Sequence, residues 1–195
     1  MKRVQMFLAG AFIAVGSLYA QSSDAEWQAG VAKLKETIQA NPAQAAEEAG
    51  QMIKGKNKKN IELLVAIGEA YLEAGKIPEA QQYAALAKKA NGKSADAAVL
   101  EGDIALKQKN AGLASQKYEE AIYFNPRCAA AYLKFADIYK MANSSLAIEK
   151  LNQLKALQPS NTGVDKKLAE IYYLKNDFSL SLIHISEPTR HSLIS

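Results

Sequence analysis

The sequence repeats itself at a nearly fixed interval through the middle of the chain. Small residues recur every 34 or 33 positions, at Gly68, Gly102, Ala136 and Ala169. A second small residue follows each of the first three, at Ala80, Ala114 and Ala147. One residue missing from the turn at 141–145 accounts for the intervals of 33. A chain with this period is expected to build a stack of similar units, each packed against its neighbours.

Each unit is predicted to contain two helices. Residues 61–74 carry apolar side chains at helical spacing, at Leu64, Ile67 and Tyr71. Gly75 then interrupts the pattern, and Pro78 suits the first turn of a second helix. Later units pair 95–109 with 112–124 and 129–141 with 145–157, and a fourth unit begins at 162 with one helix. Because no pair can bury its apolar face alone, we expect an all-α solenoid of antiparallel helix pairs.

The residues at these positions resemble the tetratricopeptide repeat family. The matching positions are Leu64, Ile67, Gly68, Tyr71, Ala80, Ala84, Ala87, Gly102, Ala114, Tyr118, Ala121, Pro126, Tyr132, Phe135, Ala136, Tyr139, Ala147, Leu151, Leu154, Pro159, Leu168, Ala169 and Tyr172. The resemblance covers about 61–179, with the last repeat truncated, and it implies a superhelix whose concave groove binds proteins or peptides. Glu101 departs from the family pattern, which has an apolar residue beside Gly102.

Residues 24–55 are predicted to form a degenerate first repeat that caps the array. Asp24 can cap a helix that places Trp27 and Leu34 on its apolar face. Asn41 and Pro42 interrupt that helix, and a second helix follows as far as 53. Ala46 lies 34 residues before Ala80, which puts it in phase with the array. The alternative is an unrelated helical hairpin.

The first 20 residues are predicted to be a secretory signal peptide. A basic start at Lys2 and Arg3 precedes an apolar run over 6–15 and the small residue Ala20. The run is shorter than the roughly 20 apolar residues that span a bilayer. We therefore expect cleavage after Ala20 and export to the periplasm of a Gram-negative bacterium or to the medium. A retained membrane anchor is the alternative.

The last 16 residues, 180–195, are predicted to be non-native. Residues 180–190 resemble the in-frame translation of a transposase adapter used in sequencing libraries, and a natural apolar tail is the alternative. Without Lys2, Arg3, Arg190 and Glu187 the net charge falls from +4 to about +2. So small an excess of positive charge weakens the case for a nucleic-acid partner.

The remaining residues, 21–179, offer little catalytic chemistry. Both histidines, His184 and His191, lie in the predicted tail, so 21–179 has no histidine base, triad or metal ligand. The one cysteine, Cys128, is predicted to be a packing residue, the alternative being a thiol activated by a helix N-terminus. The Gly-rich phosphate-binding motifs are absent from the sequence. We therefore expect no enzyme activity, no cofactor and no metal.

A run of four lysines lies between the predicted cap and the array, at 54–60. It is interpreted as a solvated linker or, alternatively, as a contact for an anionic surface such as lipid headgroups. No aromatic residue is interleaved to stack nucleic-acid bases.

An acidic residue follows the small residue of every first helix, at Glu69, Asp103, Asp137 and Glu170. The resemblance places these positions on the concave face. Apolar residues at helical spacing share that face, at Val65, Leu72, Val99, Leu106 and Leu133. The predicted groove therefore suits a basic and partly apolar peptide. The alternative is a solvated face that is partly neutralised by Lys107, Lys140 and Lys166.

The sequence thus predicts an exported, non-catalytic scaffold that binds another protein or peptide in its groove. The alternative is a structural or assembly component of a cell-envelope complex, in which repeats pack edge to edge and self-association occurs.

Overall fold

The computed structural model describes the backbone of residues 27–186 and the side chains of 27–175. The predicted signal peptide, Asp24 and residues 187–195 lie outside this range. Within it, all regular structure is helical: α1 (27–40), α2 (Pro42–Met52), a 3-10 helix (Gly55–Lys59), α3 (Ile61–Glu73), α4 (Ile77–Ala90), α5 (Ala95–Lys107), α6 (Ala111–Phe124), α7 (Ala129–Ala142), α8 (Ser144–Leu157) and α9 (Thr162–Ser186). The all-α prediction is confirmed.

Asparagine side chains fix the starts of four helices. The oxygens of Asn41, Asn60, Asn110 and Asn143 each accept a hydrogen bond from the backbone N–H three residues later, at 3.0–3.2 Å. Ser94 caps α5 in the same way. Because each cap satisfies a backbone donor that the helix leaves free, it stabilises the folded protein by about 1 kcal/mol.

The first of two compact units ends at Gly92 and contains α1–α4. α3 packs on α4, and the rings of Tyr71 and Tyr83 stack at 5.6 Å between centroids. Its fully buried large side chains are Leu34, Ile38, Leu63, Leu64 and Ile67. An ion pair between Lys33 and Glu48 joins α1 to α2.

The expected phase of the N-terminal hairpin is wrong by one residue. Ala46 is exposed, and the buried small residues of α2 are Ala45 and Ala49. In the second helix of each repeat the fourth residue is a buried alanine, at Ala80, Ala114 and Ala147. Ala45 is likewise the fourth residue of α2. The interval from Ala45 to Ala80 is therefore one residue longer than predicted. The extra residue lies between the starts of α2 and α3, in the connection that contains the 3-10 helix.

The second unit begins at Lys93 and contains α5–α9. α5 pairs with α6 and α7 pairs with α8, while α9 packs on both α7 and α8. α5 approaches α6 closely at Gly102, where an added Cβ would lie 2.4 Å from the Tyr118 ring. Phe135 and Leu151 are among the fully buried side chains of this unit. The small residue at 102 thus lets the Tyr118 side chain of α6 pack directly against the backbone of α5.

Candidate functional site

The predicted groove residues all lie on first helices of the pairs. Val65, Glu69 and Leu72 are on α3 in the first unit. The others are in the second unit, with Val99, Asp103 and Leu106 on α5, Leu133 and Asp137 on α7, and Glu170 on α9. α5 contacts α7 and α7 contacts α9, so the second-unit residues lie on successive neighbouring helices.

Three of the five apolar groove residues are not available to a ligand. Val65, Leu72 and Val99 are buried, with 6–8% of their surface exposed. Leu106 is 38% exposed and Leu133 is half-buried. The helical period predicts which residues share a face, but the extent to which neighbouring helices cover that face depends on packing. The expectation that all five apolar residues line the groove is therefore corrected to Leu106 and Leu133.

The carboxylates of the second unit do not form a free acidic row. Each accepts a hydrogen bond from a lysine of a neighbouring first helix. Lys134 Nζ lies 2.9 Å from Asp103, Lys167 Nζ lies 2.8 Å from Asp137, and Lys140 Nζ lies 2.6 Å from Glu170. We call these six residues the ion-pair network. It links α5 to α7 and α7 to α9.

Two further contacts of the network lie within single helices, one in α7 and one in α9. Lys140 Nζ also lies 3.1 Å from Asp137, and Lys167 Nζ lies 2.8 Å from Glu170. The hydrogen bonds from Lys140 and Lys167 lower the pKa of the Glu170 carboxyl. The same contacts act in the opposite direction on Lys140, whose pKa Glu170 and Asp137 raise. Both charged forms are therefore favoured at neutral pH.

Asp103 has a structural partner in addition to Lys134. The hydroxyl of Tyr118 donates a hydrogen bond of 2.7 Å to its Oδ1. Tyr118 is fully buried, and burial together with this hydrogen bond raises the pKa of its phenol. The Asp103 side chain is only 15% exposed, against 45% for Asp137 and 38% for Glu170. Asp103 therefore fixes α6 against α5 and is poorly placed to meet a ligand.

Sequence reasoning found one of the three lysines in the network. Among the expected neutralising residues, Lys140 takes part, whereas the network's other lysines are Lys134 and Lys167. A signal for these two is present in the sequence, because they follow Asp103 and Asp137 by 31 and 30 residues, close to the repeat interval.

Glu101, which departs from the family pattern, also has a local charge partner. Lys117 Nζ on α6 lies 2.7 Å from its carboxylate and 2.9 Å from that of Glu120. Burial lowers the pKa of Lys117, but the hydrogen bonds to Glu101 and Glu120 outweigh burial and raise it. An ion pair thus replaces the apolar contact that the family pattern has here.

The described residues contain one thiol, and it is buried. Cys128 is 8% exposed, and burial raises the pKa of its thiol, which confirms the packing interpretation. Among the side chains of residues 27–175, no three His, Cys, Asp or Glu are grouped to hold a metal ion. None of the helices described over that range combines the length and apolar content needed to cross a membrane.

Stacked antiparallel helix pairs, with charged and apolar side chains on their first helices, define an α-solenoid. Comparison with solved structures agrees. The chain matches a tetratricopeptide repeat protein from Parabacteroides merdae with a TM-score of 0.54 and 17% identity, covering 89% of this chain and 76% of that one. Two structures of MamA match with TM-scores of 0.50 and 0.52 and identities of 19% and 18%. They cover 80% and 88% of this chain, and 83% and 98% of theirs.

The chain therefore has the tetratricopeptide-repeat fold that the sequence resemblance implies. No protein-family profile matches it, and no curated protein matches it either. At these identities the structural likeness establishes the fold alone.

Proposed function

We propose that this protein is a non-catalytic scaffold that binds another protein or a peptide through the first helices of its repeats. The observation that carries the proposal is the face formed by α5, α7 and α9. On this face the exposed Leu106 and the half-buried Leu133 occur with the partly exposed carboxylates of Asp137 and Glu170. Adjacent apolar and charged groups on rigid helices are suited to holding a partner segment in one register.

The ion-pair network narrows the chemistry of the partner. A basic side chain that reaches Asp137 or Glu170 must compete with Lys140 and Lys167, so charge alone gives it little net gain. Affinity is then expected to depend chiefly on apolar contact with Leu106 and Leu133. The proposed partner segment is therefore partly apolar, with basic residues that affect its register and salt dependence.

A matched pair of leucines tests this assignment. Leu106 on α5 and Leu113 on α6 are both 38% exposed, and only Leu106 lies on a first helix. We expect Leu106→Ser to weaken capture of envelope proteins by the immobilised chain, and Leu113→Ser to leave it unchanged. Similar melting temperatures of the two variants would show that neither disturbs the fold. Equal capture by both variants would contradict the proposed face.

We also propose that the chain is exported by means of residues 1–20. Expression in a Gram-negative host should give a periplasmic product whose mass corresponds to cleavage after Ala20. A charge in the apolar run, Leu8→Asp, should leave the product in the cytoplasm at its full mass, because the export machinery requires an apolar core. A wild-type product that retains residues 1–20 would contradict cleavage.

A second candidate function is assembly through the edge of α9. On α9, Ala169 is exposed and Tyr172 is 48% exposed. The small residues at the positions that match Ala169 on α3, α5 and α7 are buried, at Gly68, Gly102 and Ala136. Tyr173 adds further exposed apolar surface. A second copy could cover this edge. Light scattering coupled to size-exclusion chromatography tests the idea, since a dimer that Tyr172→Glu converts to monomer would support it and a monomeric wild type would refute it.

A further inference from the structure

The four lysines between α2 and α3 lie on an ordered turn. Gly55, at φ +61°, starts a 3-10 helix that continues to Lys59. The Asn57 side chain donates a hydrogen bond of 3.1 Å to the Met52 carbonyl, which ties the turn to the end of α2. Asn60 then caps α3. We call residues 54–59 the basic turn.

The ammonium groups of the basic turn serve no contact in the described part of the chain. Lys54, Lys56, Lys58 and Lys59 are all exposed, and none pairs with a carboxylate of residues 27–175. The sequence from 49 to 61 contains no acidic residue. In contrast, the three lysines of the ion-pair network each bond a carboxylate of another helix. The fold thus keeps four like charges close together although they repel one another.

The geometry of the turn favours an extended anionic surface over a small anion. A 3-10 helix has three residues per turn and rises about 2 Å per residue, so Lys56 and Lys59 share one side of this short segment while Lys58 lies on another. A site for a small anion needs donors that converge on one point. The turn also lacks aromatic side chains to stack on nucleic-acid bases. A bilayer surface with anionic headgroups meets radiating charges without requiring a pocket.

We propose that the basic turn docks the protein on the anionic headgroups of a lipid bilayer. The basic turn belongs to the first unit and the face on α5, α7 and α9 belongs to the second, so the inference goes beyond the proposed function and does not depend on it. The choice of a bilayer over nucleic acid agrees with the predicted export. Each lysine near such a surface strengthens binding by about fivefold, so four together give a preference of roughly several hundredfold over neutral lipid.

The test compares binding of the full chain to two kinds of vesicle, phosphatidylcholine alone and phosphatidylcholine with one third phosphatidylglycerol. Flotation with both vesicles measures the preference for anionic lipid and subtracts any binding by the apolar N-terminal run. The test variant carries Lys54→Gln, Lys56→Gln, Lys58→Gln and Lys59→Gln. The control carries Lys89→Gln, Lys107→Gln, Lys166→Gln and Lys175→Gln, four exposed lysines elsewhere, and it loses the same charge.

The proposal expects the wild type to prefer anionic vesicles by at least about a hundredfold at low salt, and the preference to fall steeply at 0.5 M salt. The test variant should lose most of the preference, the control should lose less than about threefold, and a variant with arginine at the four turn positions should retain it. Equal losses in test and control variants would overturn the proposal in favour of net charge. A wild type that shows no preference for anionic vesicles would also overturn the proposal. So would a basic turn that binds polyglutamate but does not bind vesicles. Unchanged melting of the test variant shows that the loss is local.

Discussion

At position 102 the chain has room for a hydrogen atom and nothing larger. A Cβ there would lie 2.4 Å from Cε1 of Tyr118, and the hydrogen bond from Tyr118 to Asp103 keeps the ring from moving away. We expect Gly102→Ala to cost about 1–3 kcal/mol through overpacking, which exceeds the gain of up to about 1 kcal/mol in helix propensity. Thermal unfolding should show a melting temperature lower by several degrees.

Gly112 provides the control for this substitution. It lies in α6 of the same unit, where an added Cβ has its nearest neighbour at 3.8 Å. Gly112→Ala should therefore be neutral or stabilise the protein by up to about 1 kcal/mol. If both alanine variants melt at the same temperature, the close contact of α5 with α6 does not limit the residue at 102.

Cys128 is expected to behave as an inert thiol in the folded protein. The thiolate is the reactive form, and burial both raises the pKa of Cys128 and shields its sulfur. Alkylation by iodoacetamide at pH 8 should be about tenfold or more slower in the native protein than in urea. Mass spectrometry of timed samples would measure this. Equal rates in the two conditions would show an accessible, activated sulfur. Cys128→Ser should leave partner binding unchanged.

At the scale of helices, the ion-pair network connects successive first helices by contacts that are partly exposed. Exposed ion pairs contribute about 0–1 kcal/mol each, so the apolar core dominates stability and the network acts mainly on the relative position of α5, α7 and α9. Its pH dependence has two sides. The stability due to Glu170, with its lowered pKa, is present above pH 4.5 and is lost as the pH falls below that value. The part due to Lys140, with its raised pKa, is present below pH 10.5 and is lost as the pH rises above it.

Removing one lysine should be detectable at Glu170. We expect Lys140→Gln to raise the pKa of the Glu170 carboxyl toward its ordinary value of 4.5, because the largest cause of its lowering is lost. NMR titration of the side-chain carboxyl measures this directly. Lys166→Gln, one position before Lys167 on α9 and outside the network, is the control and should leave the Glu170 pKa unchanged. A wild-type pKa of 4.5 or higher would show that the network does not form in solution.

The same helices show what the sequence can and cannot predict. Small residues at fixed intervals predict close helix contacts because a glycine such as Gly102 has one obvious use in a helix interior. The acidic positions could be predicted because they recur at the same interval as the small residues. Their partners were harder to predict, because the choice of Lys134 and Lys167 depends on how far each first helix is offset along its neighbour. The burial of Val99 likewise depends on packing that the helical period alone does not contain.

For the whole molecule, the predicted boundary at 179 can be tested by truncation. α9 continues through residues 180–186 as helical backbone. If 180–195 are non-native, a chain that ends at Ser179 should unfold at nearly the same temperature as the full chain. A loss of about 2–4 °C or more, equivalent to about 1 kcal/mol for a protein of this size, would show that the tail contributes to the native fold. Thermal unfolding followed by circular dichroism is sufficient.

The asparagine caps have a consequence for the protein as it ages. Water slowly hydrolyses the asparagine amide, which releases ammonia and leaves aspartate or, through a cyclic imide, isoaspartate. At Asn41, Asn60, Asn110 and Asn143 the aspartate keeps an oxygen that can accept the capping N–H. It also places a negative charge at the helix N-terminus, where such a charge is favourable. An old preparation should therefore resolve into progressively more acidic species on isoelectric focusing. The species with aspartate at these four positions should have an unfolding temperature no lower than that of the fresh protein.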